Sequence, residues 1–168
     1  MAYSLYDATV SMAKGALLSL DRMLTEAEKH PSSTTFFTAR LIEDMKPLTF
    51  QVHYAAFQAQ ALAAKLSGQE HAEPQEDLDT YEKMRARIQQ ALDALDETDK
   101  DTVNKLGEAT TAFTRHEDAM EVPVKALVGL LNMPNIYFHV SMAYAILRKE
   151  GVPLGKRDWS RGFVRDYI

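Results

Sequence analysis

The 168-residue sequence contains no cysteine, which excludes disulfides, thiolate metal ligands and a cysteine nucleophile. No apolar run approaches the roughly 20 residues that a membrane-spanning helix needs. The net charge of -5 gives no electrostatic reason to expect nucleic acid as a partner. The first residues, "MAYSLYDATV", lack the basic and then apolar segments of a signal peptide. We therefore expect a cytoplasmic protein that binds neither nucleic acid nor a membrane.

Several enzyme signatures are also missing. The sequence has no glycine loop for phosphate, no nucleophile elbow and no HExxH. The acidic stretch "EHAEPQEDLDT" lacks the regular ligand spacing of a calcium loop, so we expect a solvated linker there. Nothing in these patterns demands an enzyme, and whether the protein catalyses a reaction is left undecided.

What the sequence does have is helical periodicity. Hydrophobic residues make up 46% and charged residues 26%, which are globular values, and the length suits one domain over residues 1–168. Apolar residues recur every three, four or seven positions in four long segments. The first segment has a possible cap in Ser4 and Asp7, and it ends at "HPSSTT". The second has Pro47 in its first turn, after a short helical turn over residues 36–44, and it ends at Gly68.

The third segment begins at "DTYE", where Asp79 is the expected cap, and its "DALDETDKD" run is expected to be an exposed helix end. The fourth runs from Val124 to Gly151, and Pro134 predicts a short helix, then a break or kink, before a long helix from about Asn135. Between these two, "EATTAFTRHEDAMEVPV" favours a small β-hairpin around the polar turn "RHED". The prediction is an all-α four-helix bundle with a small β-hairpin between helices three and four.

The tail, "VPLGKRDWSRGFVRDYI", lacks helical periodicity. We expect it to be irregular and to pack Trp159 and Phe163 back onto the bundle.

Three motifs carry a family resemblance: "SLYDATV", "ARLIEDMKPLTFQV" and "NIYFHVSMAYAILRKEGVPLGK". Together they resemble an uncharacterised family of the DinB-like superfamily of four-helix bundles, from about Ser4 to Trp159. The resemblance implies a DinB-like bundle, often dimeric, whose biochemical activity is not established. The wider superfamily includes metal-dependent, thiol-linked transferases and isomerases.

In those enzymes one histidine of helix two and an H-x3-H pair on helix four hold the metal. Alignment on "ILRKEG" places Asn135 and His139 at the helix-four positions and His53 at the helix-two position. One histidine of the three is therefore replaced by asparagine. An amide oxygen is a poor third ligand for Zn²⁺, so no cofactor is expected, and the alternative is weak binding of Zn²⁺ or Ni²⁺. His53 has a second interpretation as a surface histidine.

His139 has three interpretations, which the sequence leaves standing. It is a metal ligand or catalytic group of a DinB-like transferase or hydrolase that uses His53 and His139, or a buried core histidine with a hydrogen-bond partner. In the third interpretation, His139 and Asn135 are the polar groups of a small-molecule pocket. The walls of that pocket would be Tyr54, Tyr137, Phe138 and Met142. The expected function is a non-catalytic bundle with a possible small-ligand pocket near His139, and the ligand is unknown.

We also expect a homodimer. Helix two carries Ala55, Ala56, Ala59, Ala63 and Ala64, and helix four is apolar beyond one stripe. A helix that is apolar around most of its circumference must be covered on both sides. Either the hairpin and tail or a second copy of the chain would provide that cover, and the shortness of the tail favours the second copy.

Overall fold

Four long helices form the frame of the structure, a computed structural model that describes residues 3–115 and 118–164. The four long helices are α1 (Met12–Glu28), α2 (Leu48–Ser67), α3 (Tyr81–Asp96) and α6 (Met133–Lys149). Three short helices accompany them: α4 (Lys100–Leu106), α5 (Val124–Leu127) and α7 (Lys156–Ser160). Strands β1 (Thr110–Arg115) and β2 (Asp118–Pro123) lie between α4 and α5. Helix α2 packs along both α3 and α6, and α1 contacts the same two helices. Helices α1 and α2 therefore face each other across a four-helix bundle, as predicted.

The first helix begins at the predicted cap. The backbone N–H of Ser4 donates to the Asp7 carboxylate at 3.0 Å, and the Asp7 N–H donates to Ser4 Oγ at 3.3 Å. This reciprocal pair satisfies N–H groups that have no partner inside the helix. A π-helical turn, Asp7–Ser11, then leads into α1.

The entry to α2 differs in part from the prediction. Pro47 immediately precedes the helix, while the short helical turn is a 3₁₀ helix at Ser33–Thr38 and not a turn over residues 36–44. The helix ends at Gly68, whose φ of 69° is in the left-handed region that glycine adopts without strain.

The start of α3 is one residue later than predicted. Thr80, and not Asp79, is its cap, since Thr80 Oγ1 accepts a hydrogen bond from the Lys83 N–H at 3.2 Å. Asp79 instead pairs with the Lys83 ammonium at 2.9 Å. Threonine and aspartate are both good caps, so composition alone did not choose between neighbours.

Helix α4 was not predicted. The acidic run after α3 was expected to be an exposed helix end, but Asp99 accepts a hydrogen bond from the Thr102 N–H at 2.8 Å and begins a new helix. The hairpin that follows confirms the predicted one, with antiparallel pairs from Thr110↔Pro123 to Arg115↔Asp118. Residues 116 and 117 of the predicted turn lie outside the described residues.

The irregularity expected before Pro134 is a π-helical turn, and the helix does not break there. The chain is helical from Val124 to Lys149, and Pro134 lies in the first turn of α6. A π-helical turn, Val128–Asn132, stands directly before the proline. The wider turn lies where the proline ring would otherwise clash with a carbonyl of the preceding α-helical turn.

The tail packs on the bundle as expected, but it is partly helical. Helix α7 and a 3₁₀ turn, Arg161–Phe163, place the rings of Trp159 and Phe163 5.1 Å apart against the core. The Gly162 N–H donates to Ser19 Oγ at 3.0 Å. A side chain at Gly162 would collide with the backbone of Gly15, so this contact requires glycine.

No helix in the described part of the chain has both the length and the apolar character to cross a membrane.

Candidate functional site

His139 lies on α6 and points into the bundle, with 7% of its surface exposed. Its Nδ1 is 2.8 Å from the side-chain oxygen of Gln51 on α2. An amide oxygen only accepts, so Nδ1 carries the hydrogen and donates it. Burial lowers the pKa of His139 to about 4, and the ring is therefore neutral near pH 7.

Three aromatic rings surround this histidine. The centroid of the Tyr54 ring is 4.7 Å from that of His139, that of Phe138 is 5.1 Å away, and that of Phe50 is 5.9 Å away. Phe138 is the most exposed of the three, at 52%. With Nδ1 bound to Gln51, the lone pair of the neutral ring is on Nε2, which has no hydrogen-bond partner among residues 3–115 and 118–164. The site is an aromatic enclosure with one hydrogen-bond acceptor.

His53 is buried and not a surface residue, with 1% of its surface exposed. The Arg87 guanidinium of α3 donates to His53 Nδ1 across 2.6 Å, and Glu73 is 3.4 Å from Nε2. Arginine has donors only, so Nδ1 must be the acceptor, and Nε2–H then faces the carboxylate. In this arrangement His53 has no lone pair left for a metal.

Arg87 also fixes the acidic segment that joins α2 to α3. Its second nitrogen donates to the Gln75 carbonyl and to the Asp77 carboxylate, each at 3.1 Å. Leu78 of the same segment is buried. The expectation of a solvated linker therefore holds for most of the stretch, but the segment is tied to the bundle through the buried Arg87–His53 pair.

The other predicted site residues are divided among different surroundings. Asn135 is half-buried at the cleft beside α2 and donates to the Leu131 carbonyl of the preceding helical turn at 2.8 Å. The Tyr137 ring packs against Phe163 of the tail, with centroids 6.0 Å apart. Met142 is half-buried. Of the predicted set, the structure groups Tyr54 and Phe138 with His139.

Gln51 and Phe50 were missed from the sequence. A signal for Gln51 is present, because it stands between Leu48 and Val52 on the inward stripe of α2. Two further polar residues, Gln58 and Lys65, follow it at intervals of seven, which keeps them on one side of the helix. Polar residues at regularly spaced inward positions indicate buried hydrogen bonds.

The metal site of the wider superfamily does not fit these residues. His53 has both ring nitrogens engaged, Asn135 lies at a cleft that His139 does not line, and His139 is left as a single nitrogen donor. Zn²⁺ in a catalytic site ordinarily takes three protein ligands. Within the described residues, no three His, Cys, Asp or Glu side chains are grouped so that they could hold an ion.

Fold and comparison together define the class of this protein, a DinB-like helical bundle. The crystal structure of a DinB family member from Shewanella denitrificans is similar over 92% of this chain and 90% of that one, at 28% identity and a TM-score of 0.82. A family model, the domain of unknown function DUF1993, matches residues 5–160. The chain belongs to that family. No protein of curated function matches it significantly.

Proposed function

We propose that this DUF1993 protein is a non-catalytic bundle that binds a small molecule in a pocket beside His139. The observation that carries the proposal is the neutral imidazole, whose Nδ1 is held by Gln51 while Nε2 remains an acceptor inside an aromatic enclosure. Such a site suits a ligand with an apolar or aromatic body and one O–H or N–H donor. The neutral imidazole itself offers no charge to a charged ligand.

Phe138 is the movable wall in this proposal. It is half-exposed, and its ring meets the His139 ring edge-on. Phe50 and Tyr54 are less exposed, and they stack on each other with centroids 5.3 Å apart. Rotation of Phe138 admits a ligand without disturbing that stack.

Phenol and anisole form the test, because they share a ring but only phenol has a donor. We expect phenol to shift the ¹⁵N resonance of His139 Nε2 saturably, and anisole to leave it nearly unchanged. Phe138→Ala should strengthen the response by widening the entrance. Phe57→Ala is the matched control, since Phe57 contacts Tyr54 and His71 instead. Equal responses to phenol and anisole would count against the pocket. The absence of a response in both the wild type and Phe138→Ala would also count against it.

A second candidate is a metal-dependent enzyme that uses His53 and His139. One observation favours it: metal-binding histidines commonly donate their second ring nitrogen to an oxygen, as His139 does to Gln51. The Arg87 hydrogen bond to His53 opposes it, because the arginine would first have to leave. We therefore favour the function of a binding protein over that of a metal-dependent enzyme.

A further inference from the structure

A separate cleft, with a volume of about 710 Å³, lies between α2, β1 and the helix that contains Pro134. Its lining is partly apolar. The apolar part comes from Leu106, Phe113, Val124, Leu127 and Leu131. Its polar side chains include Gln58 and Lys65 of α2 together with Asn132. Space of this size is enough for a small organic molecule.

Asn132 has an unsatisfied atom at this cleft. Its amide nitrogen donates to the side-chain oxygen of Gln58 at 2.9 Å, and also contacts the Gln58 carbonyl at 3.4 Å. Its Oδ1 is buried and has no hydrogen-bond partner among the described residues. The residue as a whole is only 3% exposed, so water does not replace the missing partner. A buried acceptor without a donor destabilises the fold, and native proteins rarely keep one without a reason.

The π-helical turn produces this arrangement. Asn132 is the last residue of Val128–Asn132, and π-helical turns are frequent at functional sites. Rotation about the soft amide torsion of asparagine turns Oδ1 from its enclosed position toward the cleft. The rotation breaks the Nδ2 bond to the Gln58 oxygen, so the Gln58 amide must turn with it and present its NH₂ group. The turn thus places a free hydrogen-bond acceptor beside Gln58.

Lys65 supplies a positive charge at the other end. No carboxylate lies within 4.0 Å of its ammonium among residues 3–115 and 118–164, and the exposed Glu70 is at the rim of the cleft. Burial lowers the pKa of Lys65, which shows that its charge is poorly solvated. Lys65 follows Gln58 by seven residues, about 10 Å of helix rise. Side chains lean toward the helix N-terminus, which brings the ammonium back toward Gln58.

We propose that this cleft binds a small aliphatic carboxylate with a hydroxyl at its far end, Lys65 holding the carboxylate and the Gln58–Asn132 pair the hydroxyl. The aliphatic walls contact the chain between the two polar ends. A six-carbon hydroxy acid is comparable in length to the helix rise between Gln58 and Lys65. The proposal does not rest on the pocket beside His139, because it uses different side chains.

Three ligands test it on the unaltered protein: 6-hydroxyhexanoate, hexanoate, which lacks the hydroxyl, and 6-hydroxyhexanamide, which lacks the charge. The side-chain NH₂ resonances of Gln58 and Asn132 report binding. We expect saturable shifts with 6-hydroxyhexanoate and binding roughly fivefold weaker or worse for either of the other two, since each loses one polar contact. Absence of a saturable shift, or equal affinity for all three, would overturn the proposal.

Two lysine variants add a second test. Lys65→Met should remove the preference for 6-hydroxyhexanoate over its amide, whereas Lys29→Met, at a lysine that pairs with Glu26 on the surface of α1, should leave it intact. His139→Gln should also leave 6-hydroxyhexanoate binding unchanged, which separates this site from the phenol response of His139. A preference that survives in Lys65→Met would contradict the role of Lys65. The comparison of ligands decides the proposal even if a variant fails to fold.

Discussion

The two buried histidines of the bundle use their ring nitrogens in opposite ways. His139 donates from Nδ1 to Gln51, which leaves Nε2 with a lone pair. His53 accepts at Nδ1 from Arg87, and its Nε2 faces Glu73. A group's protonation state follows from such partners and from burial. The first ring is therefore equipped to accept a hydrogen bond from a ligand, and the second holds the structure together.

The pH dependence of stability should reveal the burial of His139. Its pKa is about 4 in the folded protein, against 6.5 ordinarily, so the unfolded chain takes up the proton first as pH falls. Stability is then lost from about pH 6.5 down to about pH 4, by up to about 3 kcal/mol, and this loss is absent above that range. His139→Gln should reduce the loss in urea unfolding measured at pH 7 and pH 4.5. An unchanged pH dependence in the variant would show that His139 does not titrate as a buried group.

A charge at position 139 should damage the fold. His139→Asp buries a carboxylate with no basic partner, at a cost of several kcal/mol, a large part of a domain's stability. The control is His71→Asp, because His71 is exposed and a surface substitution typically changes stability by less than about 0.5 kcal/mol. Thermal unfolding of the two variants makes the comparison. If His139→Asp unfolds at the wild-type temperature, position 139 is accessible to water.

Purified protein should carry no stoichiometric transition metal. His53 has no free lone pair, and Asn135 offers only an amide oxygen, a poor ligand for Zn²⁺, so two of the three positions are unsuited to the metal. Elemental analysis after dialysis without chelator is the measurement. About one Zn²⁺ or Ni²⁺ per chain, lost in His139→Ala, would show that the side chains rearrange around an ion.

Helix α2 could be predicted from the sequence, but the partners of its polar side chains could not. Its existence follows from the apolar period, because burial of one stripe dominates helix formation in proteins. The partners of its polar residues do not follow, since Gln51 meets His139 and His53 meets Arg87 only after the chain has folded. Those contacts join residues 88 and 34 positions apart. The apolar period of one helix does not indicate which distant residues its polar side chains will contact.

Local chemistry explains the other misses. At the start of α3, Asp79 and Thr80 are both good caps, and the choice depends on backbone geometry. At Pro134 the rule that proline ends a helix is outweighed by the π-helical turn before it. The candidate site was predicted least well. Its residues were assigned from a three-histidine pattern, and in the structure these positions have other hydrogen-bond partners.

The segment between α2 and α3 should detach when Arg87 is removed. Arg87→Met deletes the hydrogen bonds to the Gln75 carbonyl and to Asp77, and it leaves His53 Nδ1 without a donor. We expect a loss of about 2–4 kcal/mol in stability from the unpaired buried groups. We also expect faster cleavage after Glu76 by a protease specific for glutamate, because local detachment exposes the backbone.

Arg85→Met is the matched control for this variant. Arg85 is on the same helix, but it pairs with Asp21 and Glu28 near the surface, where ion pairs contribute little. Its cleavage rate should equal that of the wild type. Similar rates in both variants would show that Arg87 does not hold the segment.

The alanines of α2, which the sequence suggested as a dimer surface, give no reason for a dimer. The five alanines of α2 are all buried within one chain, so they require no second copy. Exposed apolar side chains instead gather around the hairpin and the π-helical turn. They are Met120, Leu130 and Leu131. The hairpin and this turn also enclose an apolar cleft of about 530 Å³. A contiguous apolar surface of this kind is typical of protein contacts.

We propose that two chains form a two-fold homodimer through this surface, with the same residues contributed by each chain. Sedimentation equilibrium at micromolar concentration should then give twice the 18.9 kDa mass of one chain.

Leu130→Ser should weaken the dimer, because Leu130 is 74% exposed in the single chain and its burial would occur only on association. Ile42→Ser is the control, since Ile42 is similarly exposed, at 61%, but lies in the segment before α2. A single species of 18.9 kDa contradicts the dimer. A dimer that Leu130→Ser leaves intact contradicts its location, because the most exposed aliphatic side chain of the surface would then contribute nothing to the interface.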